Sequence, residues 1–320
     1  MLKDIFDKSG VTMSFFQSSS FLSKKLMIEQ ALNQFIQSDR EDHKLKEAVA
    51  YSLNNGGKRI RPIIVLMIAE ALKCPYSILE AAISVECFHT ASLIADDLPM
   101  MDNDLMRRGC PSLHVQFGQT VALLASYGLI ALSFEKIHDC AKEIVAFDST
   151  LEPFASKVCM IALKEASFAA GLKGTTLGQY FDLFPKEGCS IDKLTYLKTV
   201  TLFEVSFLFG WLFSSGDFSK IDQVKKLSYH FGIAYQIADD LQDDESDLEK
   251  GKTYNFSLIY GKENAWDLFS FHLDEVKKNL ESLNLFTEDF QKLVVFLENY
   301  GALNKKSPSN KLKTTFAQVD

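Results

Sequence analysis

The sequence predicts an all-α fold, a single large helical bundle around a central cavity. Three observations point there. Apolar residues recur at three- and four-residue steps through most of the chain. Few stretches alternate with period two, and β-hairpin turn signals are scarce. Several helical stretches are apolar nearly all round, as helices are when they sit inside a core.

The elements follow in order. Residues 1–20 read as a ragged extension, because Gly10 and the Ser18-Ser19-Ser20 run argue against a helix. From Phe21 the pattern turns helical through Leu22, Leu26, Ile28, Leu32, Phe35 and Ile36. Asn54 to Gly57 breaks the chain, and Pro62 suits the first turn of a helix running to Leu72. A further helix spans about 78–95, and others lie near 119–147, 153–171, 191–214, 219–242, 262–282 and 287–300. The main domain is expected over 21–304, with a polar tail at 305–320.

Composition sets limits. With 320 residues, 47% of them hydrophobic, the chain can bury a large core. A net charge of -8 weighs against nonspecific nucleic-acid binding. Six scattered cysteines without a CxxC pair fit reduced thiols and a cytoplasmic location better than disulfides or a zinc site. The first twenty residues show no secretory pattern. The longest apolar stretch, residues 121–134, is shorter than the ~18 residues of a membrane span. It is expected to be a buried core helix, so no transmembrane segment is predicted.

Two carboxylate clusters carry the chemistry. Asp96-Asp97-Leu98-Pro99-Met100-Met101-Asp102 ends one apolar helix, and Asp239-Asp240-Leu241-Gln242-Asp243 ends another. Burying so much like charge is unfavourable unless something positive neutralises it. Asp239 and Asp243 are i,i+4 on one helix face, with Asp240 beside them. Oxygen-only ligands suit Mg²⁺, which keeps waters and shares ligands with substrate phosphates. Asp244, Glu245 and Asp247 follow, so the second cluster taken alone also reads as a solvated acidic helix end. Asp96 and Asp102 would point apart on a straight helix, and Pro99 with its neighbours implies a turn that brings them to one side.

Basic residues accompany the acids. Gly56-Gly57-Lys58-Arg59-Ile60-Arg61-Pro62 places two glycines, whose backbone N–H groups can approach an anion, before a helix start. Arg107-Arg108-Gly109 follows the first cluster. His89 lies two turns before Asp96, where a lone histidine is usually a satisfied core residue. Lys198 and Thr199 sit in an apolar run, where a lysine needs a partner. Together these mark a diphosphate site above a cavity lined by apolar and aromatic residues.

At this point the sequence resembles the trans-isoprenyl diphosphate synthase (polyprenyl synthetase) family over about residues 21–300. The resemblance rests on GGKRIRP at 56–62, ECFHTASLIADDLPMMDNDLMRRG at 86–109, GQYFDL at 178–183, LKT at 197–199 and FGIAYQIADDLQD at 231–243. The four residues between Asp97 and Asp102 look like the short-chain farnesyl and geranylgeranyl diphosphate synthase branch. The resemblance implies the isoprenoid-synthase type of bundle, and Mg²⁺ ions held by Asp96, Asp97, Asp102, Asp239, Asp240 and Asp243. Asp96 and Asp102 would be the direct ligands in the first motif. Arg107, Lys198, Thr199, Gln236 and Lys252 would hold the allylic diphosphate. Lys58, Arg61, His89 and Arg108 would hold isopentenyl diphosphate. Catalysis would fall chiefly to Asp96, Asp102, Arg107, Lys198 and Asp239, in a homodimer with one site per subunit.

The family limits its product near C15 with a bulky aromatic five residues before the first motif. Here that position is Ala91, followed by Ser92, so the pocket should be open, with Phe88 and Cys87 as the next floor. This implies geranylgeranyl diphosphate as product, with farnesyl diphosphate second. The sequence departs from the family pattern at Ala95, Leu105, Ser126-Tyr127, Val200 and in the short segment after Asp243. Two other readings compete. A class I terpene cyclase would need no second diphosphate site, and a noncatalytic partner subunit would not need both aspartate motifs.

Overall fold

The computed structural model describes residues 13–38, 41–185, 189–249 and 254–302, with side chains described at all of these except 13, 14, 38 and 243–249. Fifteen α-helices run through the described residues: α1 Met13–Phe16, α2 Ser19–Ser38, α3 Lys44–Asn54, α4 Ile60–Ala71, α5 Leu79–Asp96, α6 Leu113–Phe117, α7 Gln119–Phe147, α8 Glu152–Ala170, α9 Thr175–Leu183, α10 Ile191–Thr195, α11 Thr201–Phe213, α12 Ile221–Glu249, α13 Phe256–Tyr260, α14 Lys262–Ser282 and α15 Glu288–Ala302. A π turn, Tyr196–Val200, joins α10 to α11. The fold is all-α, as the periodicity predicts, apart from one two-stranded ribbon of β1 Met106–Arg107 and β2 Cys110–Pro111.

The centre of the bundle is α11, whose thirteen residues are all buried. It packs on α4, α5, α8 and α12, while α5 lies mainly on α7. Gly210 makes the α4 contact possible, since a Cβ there would stand 2.8 Å from Ile68 Cβ. Phe203 and Phe207 of α11 meet Phe231 of α12 edge-on, with centroids 5.1 and 5.3 Å apart.

Two expectations change. Residues 13–20 are not free of helix: α1 lies there and α2 starts at Ser19. The serines act as a cap rather than a break, because Ser18 Oγ accepts from the Phe21 amide at 3.3 Å. Phe15 and Phe16 pack on Phe296 of α15, with centroids 5.8 and 4.7 Å away. The stretch 121–134 is not wholly buried either. α7 buries Ala122, Ala125, Ser126 and Leu129, but Leu124 is 48% and Tyr127 60% exposed.

Two helical stretches, Gln119–Phe147 and Ile191–Phe213, are long and apolar enough to cross a membrane by length and composition alone. In the second, 83% of the apolar window lies inside the protein, which makes it the core helix of this bundle.

Candidate active site

The first carboxylate cluster is shaped by the end of α5. Asp97 caps the helix, and the chain then folds back through Leu98 to Met101. The amide of Asp102 donates to the carbonyl of Asp96 at 2.9 Å, and that of Asn103 to the carbonyl of Leu98 at 3.1 Å. The turn therefore sets Asp102 beside Asp96. Asp97, one residue on, faces elsewhere. Its carboxylate is buried and held by Arg107, whose Nε lies 3.0 and 3.1 Å from its two oxygens. Arg107 also reaches Asp104 at 3.1 Å. Burial lowers the pKa of Arg107, but the pairing with Asp97 outweighs that and holds it above its ordinary value.

Lys198 stands opposite, on the π turn. π turns add one residue to a helix and re-aim side chains, and they recur at functional sites. Lys198 pairs with Asp182 of α9. Gly178 permits the close approach of α9, since a Cβ there would lie 2.6 Å from the Lys198 backbone nitrogen. Burial lowers the pKa of Lys198, yet Asp182 and Asp96 together raise it, so the ammonium stays charged. Gln179, on the same helix, donates to Asp102 at 3.3 Å.

The second cluster sits within α12. Asp239 accepts from the Tyr300 hydroxyl at 2.7 Å. Asp240 is buried and turned to α13, where it accepts from the Phe256 amide at 2.7 Å and from Gln236 Nε2 at 2.8 Å. Gln236 in turn accepts from Thr199 at 2.9 Å, tying α12 to the π turn. Asp243 lies on α12, but its side chain is outside the described ones, and Lys252 lies outside the described residues.

The basic loop before α4 adopts the backbone that its glycines allow. Gly56, Gly57 and Arg59 all have positive φ (75°, 112° and 54°). Arg108 reaches over this loop and donates to the Gly56 carbonyl at 2.7 Å. A Cβ at Gly57 would lie 2.6 Å from the Arg108 guanidinium carbon. Arg108 itself sits at the tip of the β1–β2 hairpin, where it and Gly109 have φ of 54° and 82°. Two successive positive-φ residues make the tight turn that matches the twist of paired strands. Beneath the loop, Glu86 of α5 is 1% exposed and ion-paired with Arg59, and it lies 4.0 Å from Arg108.

Arg61 stacks on Phe203, its guanidinium carbon 4.2 Å from the ring centroid, and donates to His89 Nε2 at 3.4 Å. Burial and then Arg61 push His89 well below its ordinary pKa, so the ring is neutral. Since Nε2 accepts, the proton sits on Nδ1, and that atom is buried with no partner among the described residues. Arg61 Nε is likewise buried without one. Unpaired buried donors are unfavourable, and an anionic ligand would satisfy them.

These side chains line two neighbouring cavities. The first, about 620 Å³, is cationic: Lys58, Arg59, Arg61, Arg107 and Arg108 face it, with Glu86 and Asp239 the acids among the described residues, and His89, Thr199, Tyr235 and Gln236 complete its polar wall. The second, about 340 Å³, is largely apolar, lined by Phe88, Ala91, Ile130, Leu183 and Leu202 among others. Asp96 and Lys198 are its charged residues. Ser92 and Leu93 face one cavity each, as do Lys198 and Thr199, so the cavities flank the same pair of elements. Cys87 does not line the apolar cavity. Phe88 does line it, packed edge-on against Phe134 with centroids 5.2 Å apart.

Among the described residues, no three acidic, histidine or cysteine side chains converge closely enough to hold a metal ion by themselves. The donor set still fits a hard cation completed by substrate oxygens and water. Asp96 shows this most clearly. Burial pushes its pKa up to about 7, with Asp102 adding to the rise and Lys198 only partly opposing it. A half-buried carboxylate short of positive charge is what a Mg²⁺ ion would satisfy.

Sequence reasoning missed several residues that shape the site. Glu86, Asp182 and Gln179 lie in quoted motifs without an assigned role, and Tyr300 lies in none. The Arg108-Gly109 turn is a hairpin signal, and it joins the two strands found among the described residues.

Comparison with known proteins gives the same picture. The polyprenyl synthetase family profile matches residues 42–287. Farnesyl diphosphate synthase of Geobacillus stearothermophilus is 33% identical over 278 residues, which cover 82% of this chain and 90% of that protein. Geranylgeranyl pyrophosphate synthase 4 of Arabidopsis thaliana is 33% identical over 270 residues, covering 82% of this chain and 69% of the relative. Among solved structures, an FPP/GFPP synthase from Zymomonas mobilis superposes with a TM-score of 0.71 at 28% identity, covering 88% of this chain and all of that one (100%). The helical frame that carries the two aspartate clusters and the basic glycine loop is thus matched over most of its length, and the chain belongs to the polyprenyl synthetase family.

Proposed function

We propose that this chain is a short-chain trans-prenyltransferase that joins isopentenyl diphosphate to an allylic diphosphate, with geranylgeranyl diphosphate as its product. One observation carries the reading: a cationic and an apolar cavity flank α5 and the π turn, with Asp96 and Lys198 in the wall of the apolar one. Isopentenyl diphosphate takes the cationic cavity, its oxygens on Lys58, Arg61, Arg108 and the Nδ1–H of His89. The allylic substrate lays its hydrocarbon in the apolar cavity and its diphosphate beside Asp96, Asp102 and Lys198. Arg107, Thr199 and Gln236 lie in the wall of the cationic cavity, next to that diphosphate.

Bound by Asp96, Asp102, Asp239 and Asp243, Mg²⁺ would neutralise negative charge on the leaving diphosphate. Asp97 and Asp240 act at one remove, the first by holding Arg107 and the second by holding Gln236 and the start of α13. Lys198 and Arg107 place cationic donors where charge builds as the allylic C–O bond breaks. The double bond of isopentenyl diphosphate then attacks the allylic carbon. The adduct loses a proton to an oxygen of the departing pyrophosphate, so no protein base is required, and the attacking double bond makes a protein nucleophile unnecessary. The apolar lining keeps water from the cation.

Ala91 supports a C20 product. Its small side chain lines the apolar cavity and leaves Phe88 as the floor. Chromatography of the product made from dimethylallyl and isopentenyl diphosphates tests this: C20 supports the reading, and C15 alone overturns it. The five cations of the first cavity favour a synthase over a cyclase, which has no second diphosphate to hold.

The same reading makes the enzyme a cytoplasmic homodimer. Supporting it are six free cysteines, as in a reducing compartment, and the exposed apolar residues Leu124 and Tyr127 on α7 and Met160 on α8. Light scattering on the Tyr127→Glu variant should report a monomer.

A further inference from the structure

Tyr300 lies on α15, beyond residue 287, where the family match ends. It nonetheless touches both sides of the site. Its hydroxyl donates to Asp239 Oδ1 at 2.7 Å. Its ring carries Lys58, with Nζ 4.6 Å from the centroid. Asp239 and Lys58 both line the cationic cavity. We propose that Tyr300 is a positioning residue that aims Asp239 at the metal and Lys58 at isopentenyl diphosphate, joining the two halves of the site through one side chain. This rests on the prenyltransferase reading above.

Three observations support an aimed side chain. Tyr300 is held by Phe296, the two rings stacked at 5.6 Å and 18°, and Lys58 Nζ lies over both, nearer Tyr300 at 4.6 Å than Phe296 at 5.8 Å. Phe296 is itself buried against Phe15 and Phe16. The Tyr300 carbonyl accepts from Gln242 Nε2 at 2.7 Å, which ties α15 to the helix that bears Asp239. A hydroxyl bonded to one carboxylate oxygen fixes the plane of the carboxylate and so the direction of its other oxygen. A ring face under an ammonium holds it by attraction to the π system and so sets where the ammonium lies.

The hydroxyl and the ring can be separated. Tyr300→Phe removes only the first, and Tyr300→Leu removes both. Two binding measurements read them out on the full chain: Mn²⁺ titrated in the presence of inorganic pyrophosphate and followed by electron paramagnetic resonance, and isopentenyl diphosphate titrated by calorimetry. Y300F should weaken Mn²⁺ binding about tenfold, the scale of one hydrogen bond to a charged group, and leave isopentenyl diphosphate within about twofold. Y300L should weaken Mn²⁺ equally and isopentenyl diphosphate by about three- to tenfold. In a Lys58→Met background, Y300L should add less than about twofold to the loss of isopentenyl diphosphate binding, because the ring acts through Lys58.

Y300F that binds Mn²⁺ as well as or better than the parent overturns the proposal, and so does Y300L with unchanged isopentenyl diphosphate binding. An additive loss in the Lys58→Met background overturns the route through Lys58. A parent protein that binds neither probe overturns the prenyltransferase reading itself, a result distinct from any change between variants. Melting curves of each variant separate these outcomes from unfolding, and Y300F retains the ring stacked on Phe296.

Discussion

The amide of Asp102 donates to the carbonyl of Asp96 at 2.9 Å, and this single backbone bond sets the two carboxylates side by side. On a continued helix they would diverge. Pro99 cannot donate to the helix ladder, and the turn from Leu98 to Met101 brings the chain back. The juxtaposition is electrostatically unfavourable in the metal-free protein, where Asp102 helps to push Asp96 up to about 7.

Asp102→Asn should therefore separate stability from function. Turnover is expected to fall by about 100-fold or more, since a ligand to the charge-neutralising ion is lost. The melting temperature in Mg²⁺-free buffer should hold or rise, because a like charge beside Asp96 is gone. Steady-state kinetics and calorimetry on one preparation check both, and a large fall in melting temperature would contradict the electrostatic account.

Glu86→Gln should act on the basic loop. Glu86 is the buried counter-charge of Arg59 and lies 4.0 Å from Arg108. Removing one partner of a buried pair leaves the other uncompensated, at a typical cost of about 3–5 kcal/mol. KM for isopentenyl diphosphate is expected to rise at least about tenfold, with KM for the allylic substrate nearly unchanged. Equal changes in both constants would mean that Glu86 serves folding alone.

Ala91→Phe should shorten the product. Ala91 is 1% exposed from outside, lines the apolar cavity, and accepts from Ser126 at 3.0 Å through its carbonyl. A ring there fills the cavity above Phe88, at an overpacking cost of about 1–3 kcal/mol. Product chromatography should show C15 or shorter, and an unchanged chain length would remove α5 as the wall that sets it.

The pH dependence of stability has a local source away from the site. His230 and His272 face each other, Nδ1 to Nδ1, at 2.9 Å, with Glu275 4.0 Å from His230. Burial, and then His230, lower His272 to about 4, and burial lowers His230 as well. In the unfolded chain both titrate near 6.5, so between about pH 6.5 and 4 the unfolded state binds more protons. The stabilisation is present above pH 6.5 and is lost as pH falls toward 4. By pH 5 the loss at His272 should be about 1–2 kcal/mol. Melting curves of His272→Gln should show a shallower decline over that window than the parent.

The helical frame was legible because half-burial imposes a period on a helix, while α5 and α11, buried nearly all round, show as long apolar runs instead. The aspartate clusters were legible because so much like charge at the end of an apolar run demands compensation. Which carboxylate faces the site was not. Asp97 and Asp240 adjoin Asp96 and Asp239 in sequence, but neighbours on a helix point about 100° apart. Asp97 accordingly meets Arg107, and Asp240 meets the start of α13. Tyr300 and Glu86 were invisible for another reason: each acts on residues distant in the chain, and no local pattern marks such a contact. The serines before α2 misled because the residue type that breaks a helix interior also caps its start.

In the proposed reaction the cationic and apolar cavities hold two different diphosphate substrates. Pyrophosphate release by the purified protein, measured with Mg²⁺ and each substrate alone and then together, tests it most directly. Release is expected to need isopentenyl diphosphate and the allylic diphosphate together. Release from the allylic diphosphate alone, or none at any Mg²⁺ concentration, would contradict it.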